Sequence, residues 1–432
     1  MNFFFNFLIN FIVDKTILWP FYYPIVHFMK EVKVDGLYKS NGITILAINP
    51  IRFRGDLEVL AKAGFKVYTM PYKWQTRIFY AYRDLELVRS KPEFQIPATD
   101  SSIYTDRIRI RHYLAPLLRK IFHKRSIDCV IGAGLFYNQD LDWGASTVDI
   151  GFPYIVFHRE NLVVSEQRIE LYKEKAKHLK KIGFKGSAIV FHNTTIKSIF
   201  DKYSGVDNSK IYALGALRMD GYLKKIKSVN RNIRNKRITL FSFTKYNGLR
   251  STDNTNLSKL YDNVHKQFIE LANDNTDIEF VIKHKGICYQ DLLDILEKNK
   301  AYDIENLKIY GDDKSAQDLI LTSDVISSFC TTALLEAAVA AKPIVFPLFY
   351  EAKELESKNS LCFDNIYELC TVSQSHKDYK KIIMDEYHNI EFTKINLKYR
   401  ESQFEKYVSS LNGNSKQRYT DLVKSVVKYN NI

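Results

Sequence analysis

The 432-residue chain lacks most of the short signatures that would assign it on sight. Its cysteines, Cys129, Cys288, Cys330, Cys362 and Cys370, are odd in number, scattered and without a CxxC pair. That argues against a disulfide scaffold and against a zinc site, and it fits a reducing, cytoplasmic setting. The histidines show no HxH or HExxH spacing, and the Asp312–Asp313 pair has no second acidic cluster behind it, so a metal-independent reaction is expected. GxGxxG is absent, which removes the dinucleotide fingerprint. RNP motifs, zinc-finger spacing and helix-turn-helix signatures are absent too, and nucleic acid is not an expected partner. No apolar run reaches the ~20 residues that a spanning helix needs.

What the chain does have is an ordinary globular composition with a strong charge bias. Hydrophobic residues make up 46% and charged residues 26%, and the length suggests two to three domains. A formal net charge of +14 implies attraction to polyanions or to an anionic membrane surface. The N-terminus, NFFFNFLINFIV and then ILWPFYYPIVHFM, is rich in aromatics but has neither the leading basic residues nor the small-residue cleavage site of a secretory signal. It reads either as a segment lying in a membrane interface or as a helix packed on the protein's own core.

Short apolar β-branched runs alternate with helical patterns almost throughout. Strands are expected at 43–48, 66–70, 128–131, 154–157, 188–191 and 211–214, and again at 238–243, 278–282, 307–310, 324–328 and 344–346. Helices are expected at 106–123, 165–181, 258–273, 289–298 and 331–341. Strands of this kind spaced by helices predict parallel sheets covered on both faces. The basic, polar stretch YLKKIKSVNRNIRNKR at 222–237 reads as a linker between two α/β domains. The tail from Thr371 reads as helical, and Tyr419–Tyr429 has amphipathic spacing suited either to packing back on the first domain or to the edge of the second.

Chemistry-bearing residues collect where strands end. The stretch SDVISSFCTTALLEAAVAAKPIVFP at 323–347 places Ser327, Ser328, Thr331 and Thr332 between a strand and a helix, with Glu336 one turn on. Donors at a helix N-terminus suit a diphosphate, and the carboxylate suits ribose hydroxyls; a serine-capped helix between two strands is the alternative. FSFTKYNGL supplies Ser242, Thr244, Lys245 and Gly248, and FVIKHKG supplies Lys283, His284 and Lys285, both suited to phosphate oxygens or a ribose. In the first half, Arg52, Arg54, Gly55 and Asp56 follow the first strand, and the two arginines would grip an anion or simply sit on the surface. VFHRENL places His158, Arg159, Glu160 and Asn161 at one strand end, with Glu160 as a candidate base and His158 or Arg159 steering an anionic group. Asp140, Asp142 and Asp149, read as loop residues, are further candidates; Asp142 is carried with His158 and Glu160 as catalytic. Arg218, in LGALRMD, would sit at the mouth of a cleft or pair with Asp220.

Taken together, GALRMD, KHKG, the 323–346 segment and NGNSKQR (412–418) resemble GT-B glycosyltransferases. The likeness runs to bacterial surface-carbohydrate and CDP-glycerol glycerophosphotransferase-like families, and more distantly to nucleotide-sugar 2-epimerases. It covers 154 to the C-terminus. Leu217 and Lys285 stand where prolines are usual, and SSFCTT replaces DYSS, which favours a sugar nucleotide over a glycerol-phosphate donor. The resemblance implies an α/β fold of two Rossmann-like domains facing a cleft. The implied division is an aromatic-rich segment at 1–30, an acceptor domain at 31–222, a linker at 223–237, a donor domain at 238–370 and C-terminal helices at 371–432. It implies a nucleotide-sugar donor held by Lys283, His284, Ser327, Ser328, Thr331, Thr332 and Glu336, to which the strand-end reading adds Thr244 and Lys245, with Arg52, Arg54, Arg159 and Arg218 toward the acceptor or the cleft. No cofactor is expected; the donor is a substrate, and the acceptor is a glycan or lipid-linked glycan at the inner membrane face. The competing expectations are a polyol-phosphate transferase using a CDP donor, a 2-epimerase, and a catalytically silent glycan-assembly subunit.

Overall fold

The computed structural model describes residues 11, 16–36, 38–53, 55–78, 95–97, 99–159, 165–228, 234–245, 255–286, 289–361, 363, 365–389 and 396–430. Arg54, Glu160, Asn161 and Gly248, together with most of the N-terminal aromatic run, lie outside the described residues. The chain divides into two compact units. One comprises Met1–Asn161, Tyr172–Asp220 and Asn412–Ile432; the other comprises Leu162–Leu171 and Gly221–Leu411.

In the first unit the described strands are β1 (Lys30–Glu31), β2 (Thr44–Ala47), β3 (Lys66–Thr69), β4 (Cys129–Gly132), β5 (Tyr154–Phe157), β6 (Ala188–Phe191) and β7 (Ile211–Ala213). They form a sheet in the order β1-β3-β2-β4-β5-β6-β7, parallel except for β1, which runs antiparallel to β3. Every residue of β2, β4, β5 and β6 is buried, as continuous apolar strands covered on both faces require. One face packs against Leu57 and Leu60 of the helix Asp56–Lys62 and against Tyr419 and Val423 of the last helix, Ser415–Asn430.

That last helix is locked in place by the two most separated motifs of the chain. Asp220 of GALRMD accepts from the backbone N–H groups of Ser415 (3.1 Å) and Lys416 (2.7 Å), so its carboxylate caps the helix start. Arg418 donates to the Ala213 carbonyl (2.7 Å), and the Tyr419 hydroxyl donates to the Gly215 carbonyl (3.0 Å). An Arg218–Asp220 pair is therefore replaced by Asp220 as a helix cap.

In the second unit the strands are β8 (Arg237–Phe241), β9 (Glu279–Lys283), β10 (Leu307–Tyr310), β11 (Val325–Ser328), β12 (Ile344–Pro347) and β13 (Thr371–Ser373). They form an all-parallel sheet in the order β10-β9-β8-β11-β12-β13. Counted from β8, this is 3-2-1-4-5-6, the doubly wound order whose direction of winding reverses between its first and fourth strands. The first unit reverses in the same way between β2 and β4. Ligands of open α/β sheets bind outside the strand carboxyl ends at such a reversal.

Three local expectations change. The stretch around Asp140 and Asp142 is a helix, Asn138–Asp149, instead of a loop. Its mid-helix Gly144 disguises it: a Cβ there would lie 2.4 Å from Cε1 of Tyr154, so the glycine is required by packing. The basic stretch after Tyr222 carries the helix Met219–Ser228, in which Tyr222 and Leu223 are buried despite the surrounding lysines. The edge strands β1 and β13 are too short to register as a period-2 pattern. Among the described residues no helix is long and apolar enough to cross a membrane.

Candidate functional site

At the reversal of the second sheet, the ends of β8, β9 and β11 bring together most of the expected donor residues. Thr244 and Lys245 follow β8 and are half-buried. The Lys245 ammonium lies 3.3 Å from Asp262 and 5.5 Å from the centre of the Tyr261 ring. Lys283 ends β9 and is buried. Its ammonium donates to the carbonyls of His284 (3.0 Å) and Gly311, and burial lowers its pKa from the ordinary lysine value. It therefore braces the end of β9 against the turn after β10. His284 stacks on Tyr289 at 4.6 Å and 19°, with Nδ1 at 3.2 Å from the Lys285 carbonyl. Gly311 leaves its ring room: a Cβ there would lie 3.3 Å from Cε1.

The hydroxyl run divides into two pairs. Ser327 and Ser328 belong to β11 and are fully buried. Ser327 donates to the Val345 carbonyl (3.1 Å) and meets the Tyr379 hydroxyl (2.6 Å), and Ser328 donates to the Phe241 carbonyl (2.8 Å). These serines stitch the sheet, because a hydroxyl inside a fully buried strand must find an internal partner. Thr331 and Thr332 are half-exposed just before the helix Ala333–Val339 and remain open to a ligand. Between the pairs, Cys330 has φ +45°, in the left-handed region that side chains other than glycine seldom adopt. Glu336 is buried within a helix whose seven residues are all buried, and its carbonyl accepts from the Tyr222 hydroxyl at 2.7 Å.

A pair that the sequence did not reveal lies beside Thr244. His265, wholly buried in the helix Ser258–Asp274, places Nδ1 2.7 Å from the Tyr261 carbonyl and Nε2 2.9 Å from Ser242 Oγ. The carbonyl only accepts, so Nδ1 carries the hydrogen and Ser242 donates to Nε2. Burial lowers the His265 pKa to about 4, so the ring stays neutral at physiological pH. A lone histidine at a core position of an amphipathic helix carries no sequence signal.

At the reversal of the first sheet, Asn49 follows β2 in the left-handed conformation (φ +54°) and is wholly buried. Its backbone N–H donates to Gln75 Oε1 (2.8 Å), and its Nδ2 approaches Asp140 at 3.4 Å. Gln75 Nε2 donates to Asp140 Oδ1 at 3.1 Å. Asp140 stands in the first turn of Asn138–Asp149, and its pKa is raised to about 7, chiefly by burial, against the opposing bonds from Asn49 and Gln75. Nearby, exposed Arg52 sits 4.9 Å from the Tyr137 ring centre.

Asp142, two residues on, is in a different situation. Its carboxylate is wholly buried and gripped by Arg107 (3.0 and 3.1 Å) and Arg111 (2.8 Å). Both oxygens of this carboxylate accept from guanidinium groups, so the geometry favours a structural tie over a catalytic base at Asp142.

The ends of β5, β6 and β7 carry His158, Arg159, His192 and Arg218. Arg159 pairs with Asp56 and donates through Nε to the Arg52 carbonyl (3.2 Å). His158 is buried and accepts at Nδ1 from Leu135 N–H (3.4 Å). Burial first, then the positive charges of Arg159 and Arg218, hold the His192 pKa well below the usual histidine value. The edge is thus cationic, with Arg218 half-exposed on it.

Two parallel Rossmann-like α/β units with these strand orders define the GT-B fold. Among solved structures, the chain is similar to the UDP-GlcNAc 2-epimerase of Methanocaldococcus jannaschii, with a TM-score of 0.51 and 14% identity over 89% of this chain and 99% of that one. Weaker likenesses include UDP-GlcNAc 2-epimerase from Neisseria meningitidis, bound to UDP-GlcNAc (0.46, 12%, 89% and 100%). Another is Anabaena HepE in complex with UDP and glucose (0.43, 10%, 89% and 100%). No protein-family model matches the sequence, and no curated protein matches it.

Proposed function

We propose that the protein is a glycosyltransferase that moves a sugar from a nucleotide-sugar donor to a surface glycan such as a capsule or lipopolysaccharide precursor. One observation carries the reading. At the winding reversal of the second sheet, Thr244, Lys245, His284, Thr331 and Thr332 end three neighbouring strands, where an open α/β sheet takes its ligand. The donor diphosphate would meet Lys245 and the two threonines, and the departing nucleotide would be stabilised by these fixed donors without an obligatory metal. Asp140, with Glu160 as the alternative carboxylate, would take the acceptor proton, and the cationic edge around Arg218 would receive an anionic group of the acceptor.

Nucleotide binding tests this reading. UDP, CDP, GDP and CMP are added separately in a thermal-shift assay, and one of them is expected to raise the transition by several degrees, since RT ln(1 + [L]/Kd) is about 2.7 kcal/mol at a hundredfold excess over Kd. His284→Ala and Thr331→Val are expected to shrink that shift. A flat response to all four nucleotides would sink the enzyme reading.

Membrane contact belongs to the same reading. Phe21 and Phe28 are 66% and 53% exposed, and Phe28 is held by stacking on Trp74 at 5.0 Å. With the net positive charge, such aromatics suit an anionic interface. The protein is expected to sediment with vesicles containing anionic lipid, and Phe21→Ser with Phe28→Ser to reduce the bound fraction several-fold. Recovery of the unmodified protein entirely in the supernatant at physiological salt would refute the contact.

A further inference from the structure

We propose that the first unit binds a lipid phosphate in a groove on the flank of its sheet, with the phosphate on the edge opposite the one that handles substrate. The groove has a volume of about 390 Å³. On the helix Asn138–Asp149, Leu141, Ala145 and Val148 stand at i, i+4 and i+7, the spacing of a helix face that ordinarily covers a core. Here that face lines the groove and is only half-buried. Ile108, Ile182 and Phe184 complete the apolar wall from other elements and are half-buried as well. An apolar stripe left partly open within a concave wall is an unfilled hydrophobic site.

The groove is elongated. Gly134 and Leu135, just past the carboxyl end of β4, line one end, and Tyr154 and Gly183–Gly186, at the amino ends of β5 and β6, line the other. It therefore runs the length of a four-residue strand, roughly 13 Å at ~3.3 Å per residue. An extended hydrocarbon chain fits such a slot better than a compact ring system does.

Charge selects the head group. The lining includes Arg107, Arg111, Lys181 and Lys185 and, among the described residues, no carboxylate. Asp142 behind the wall engages the two arginines. Lys181 and Lys185 are exposed and have no acidic partner among the described residues. Two ammonium groups at the mouth of an apolar slot complement a phosphate carried on a long chain. These lysines flank the amino end of β6, whereas Asp140, His158 and Arg218 follow the carboxyl ends. The phosphate would thus sit on the edge opposite the chemistry, which makes the lipid an anchor or effector instead of the acceptor.

Titration calorimetry with dodecyl phosphate below its micelle concentration tests the site, with dodecanol, inorganic phosphate and UDP as separate arms. The expected result is one saturable dodecyl phosphate site, at least tenfold weaker binding of dodecanol and no measurable binding of inorganic phosphate. Ala145→Phe, which fills the slot, and Lys181→Glu with Lys185→Glu, which reverses the mouth, should each weaken dodecyl phosphate at least tenfold while the melting temperature holds. If Ala145→Phe does not fold, Val148→Phe takes its place at the same wall. No saturable binding, binding that ignores both kinds of variant, or competition by UDP would overturn the proposal. The nucleotide shift measured on the same preparations reports on the second unit, so failure here is distinguishable from failure of the glycosyltransferase reading.

Discussion

Asp140→Asn is expected to lower turnover by about 10³-fold, inside the range of roughly 10²–10⁴ that a positioned general base contributes. The fold and the nucleotide-induced shift should survive, because Asn is isosteric and can still accept from Gln75 Nε2. The wild-type rate should rise with pH through an apparent pKa near 7, since the base works only when deprotonated and burial holds Asp140 at about 7. Stability should move in the opposite direction. The folded pKa lies above the ordinary aspartate value of 3.8, so the folded state keeps a proton that the unfolded chain has released. The stabilisation from this group is complete below about pH 4 and is lost as pH rises to about 7. The Asn variant should lack that decline. The carboxylate has no water-accessible surface, so a hydroxyl reaches it only after the side chains around it part. If Asp140→Asn retains full activity with an unchanged pH profile, the base role passes to Glu160, whose Gln variant would then show the loss.

The fold was largely legible because its strands are short, continuous and apolar. Ile45–Ile48 and Ala188–Phe191 have no polar residue to blur them, and both are core strands. Legibility failed where one residue serves two demands. Gly144 breaks a helix pattern because the Tyr154 ring needs the space, and the lysines of Met219–Ser228 hide the two residues, Tyr222 and Leu223, that bury its inner face. At the site, position along a strand was readable but partner choice was not. Thr331 and Thr332 remain available, whereas Ser327 and Ser328, in the same hydroxyl run, are spent on Val345, Tyr379 and Phe241 from other segments. His265 and Gln75 escaped notice because they act through long-range bonds that no local pattern encodes, His265 to Ser242 and Gln75 to Asn49, Gln139 and Asp140.

The same reasoning separates two aspartates that look alike in NQDLDWG. Asp142→Ala should cost about 3–5 kcal/mol, the range for removing one partner of a buried ion pair. Two features of the pair support the upper part of that range. Asp142 is 0% exposed, and the Arg107 guanidinium left behind is only 8% exposed, so neither charge is solvated by water. Arg111, more exposed at 21%, can turn toward water and contributes less. At about 2–4 °C per kcal/mol for a body of this size, the transition of the first unit should fall by about 10 °C. Calorimetry resolves the assignment. A large fall in melting temperature, with catalytic rate per folded molecule largely kept, identifies Asp142 as the tie between the helices Ser102–Arg125 and Asn138–Asp149. An unchanged melting temperature with activity abolished would return Asp142 to the catalytic set and displace Asp140 from it. Asp142→Asn, which keeps the shape and part of the hydrogen bonding but loses the charge, should fall between wild type and Ala.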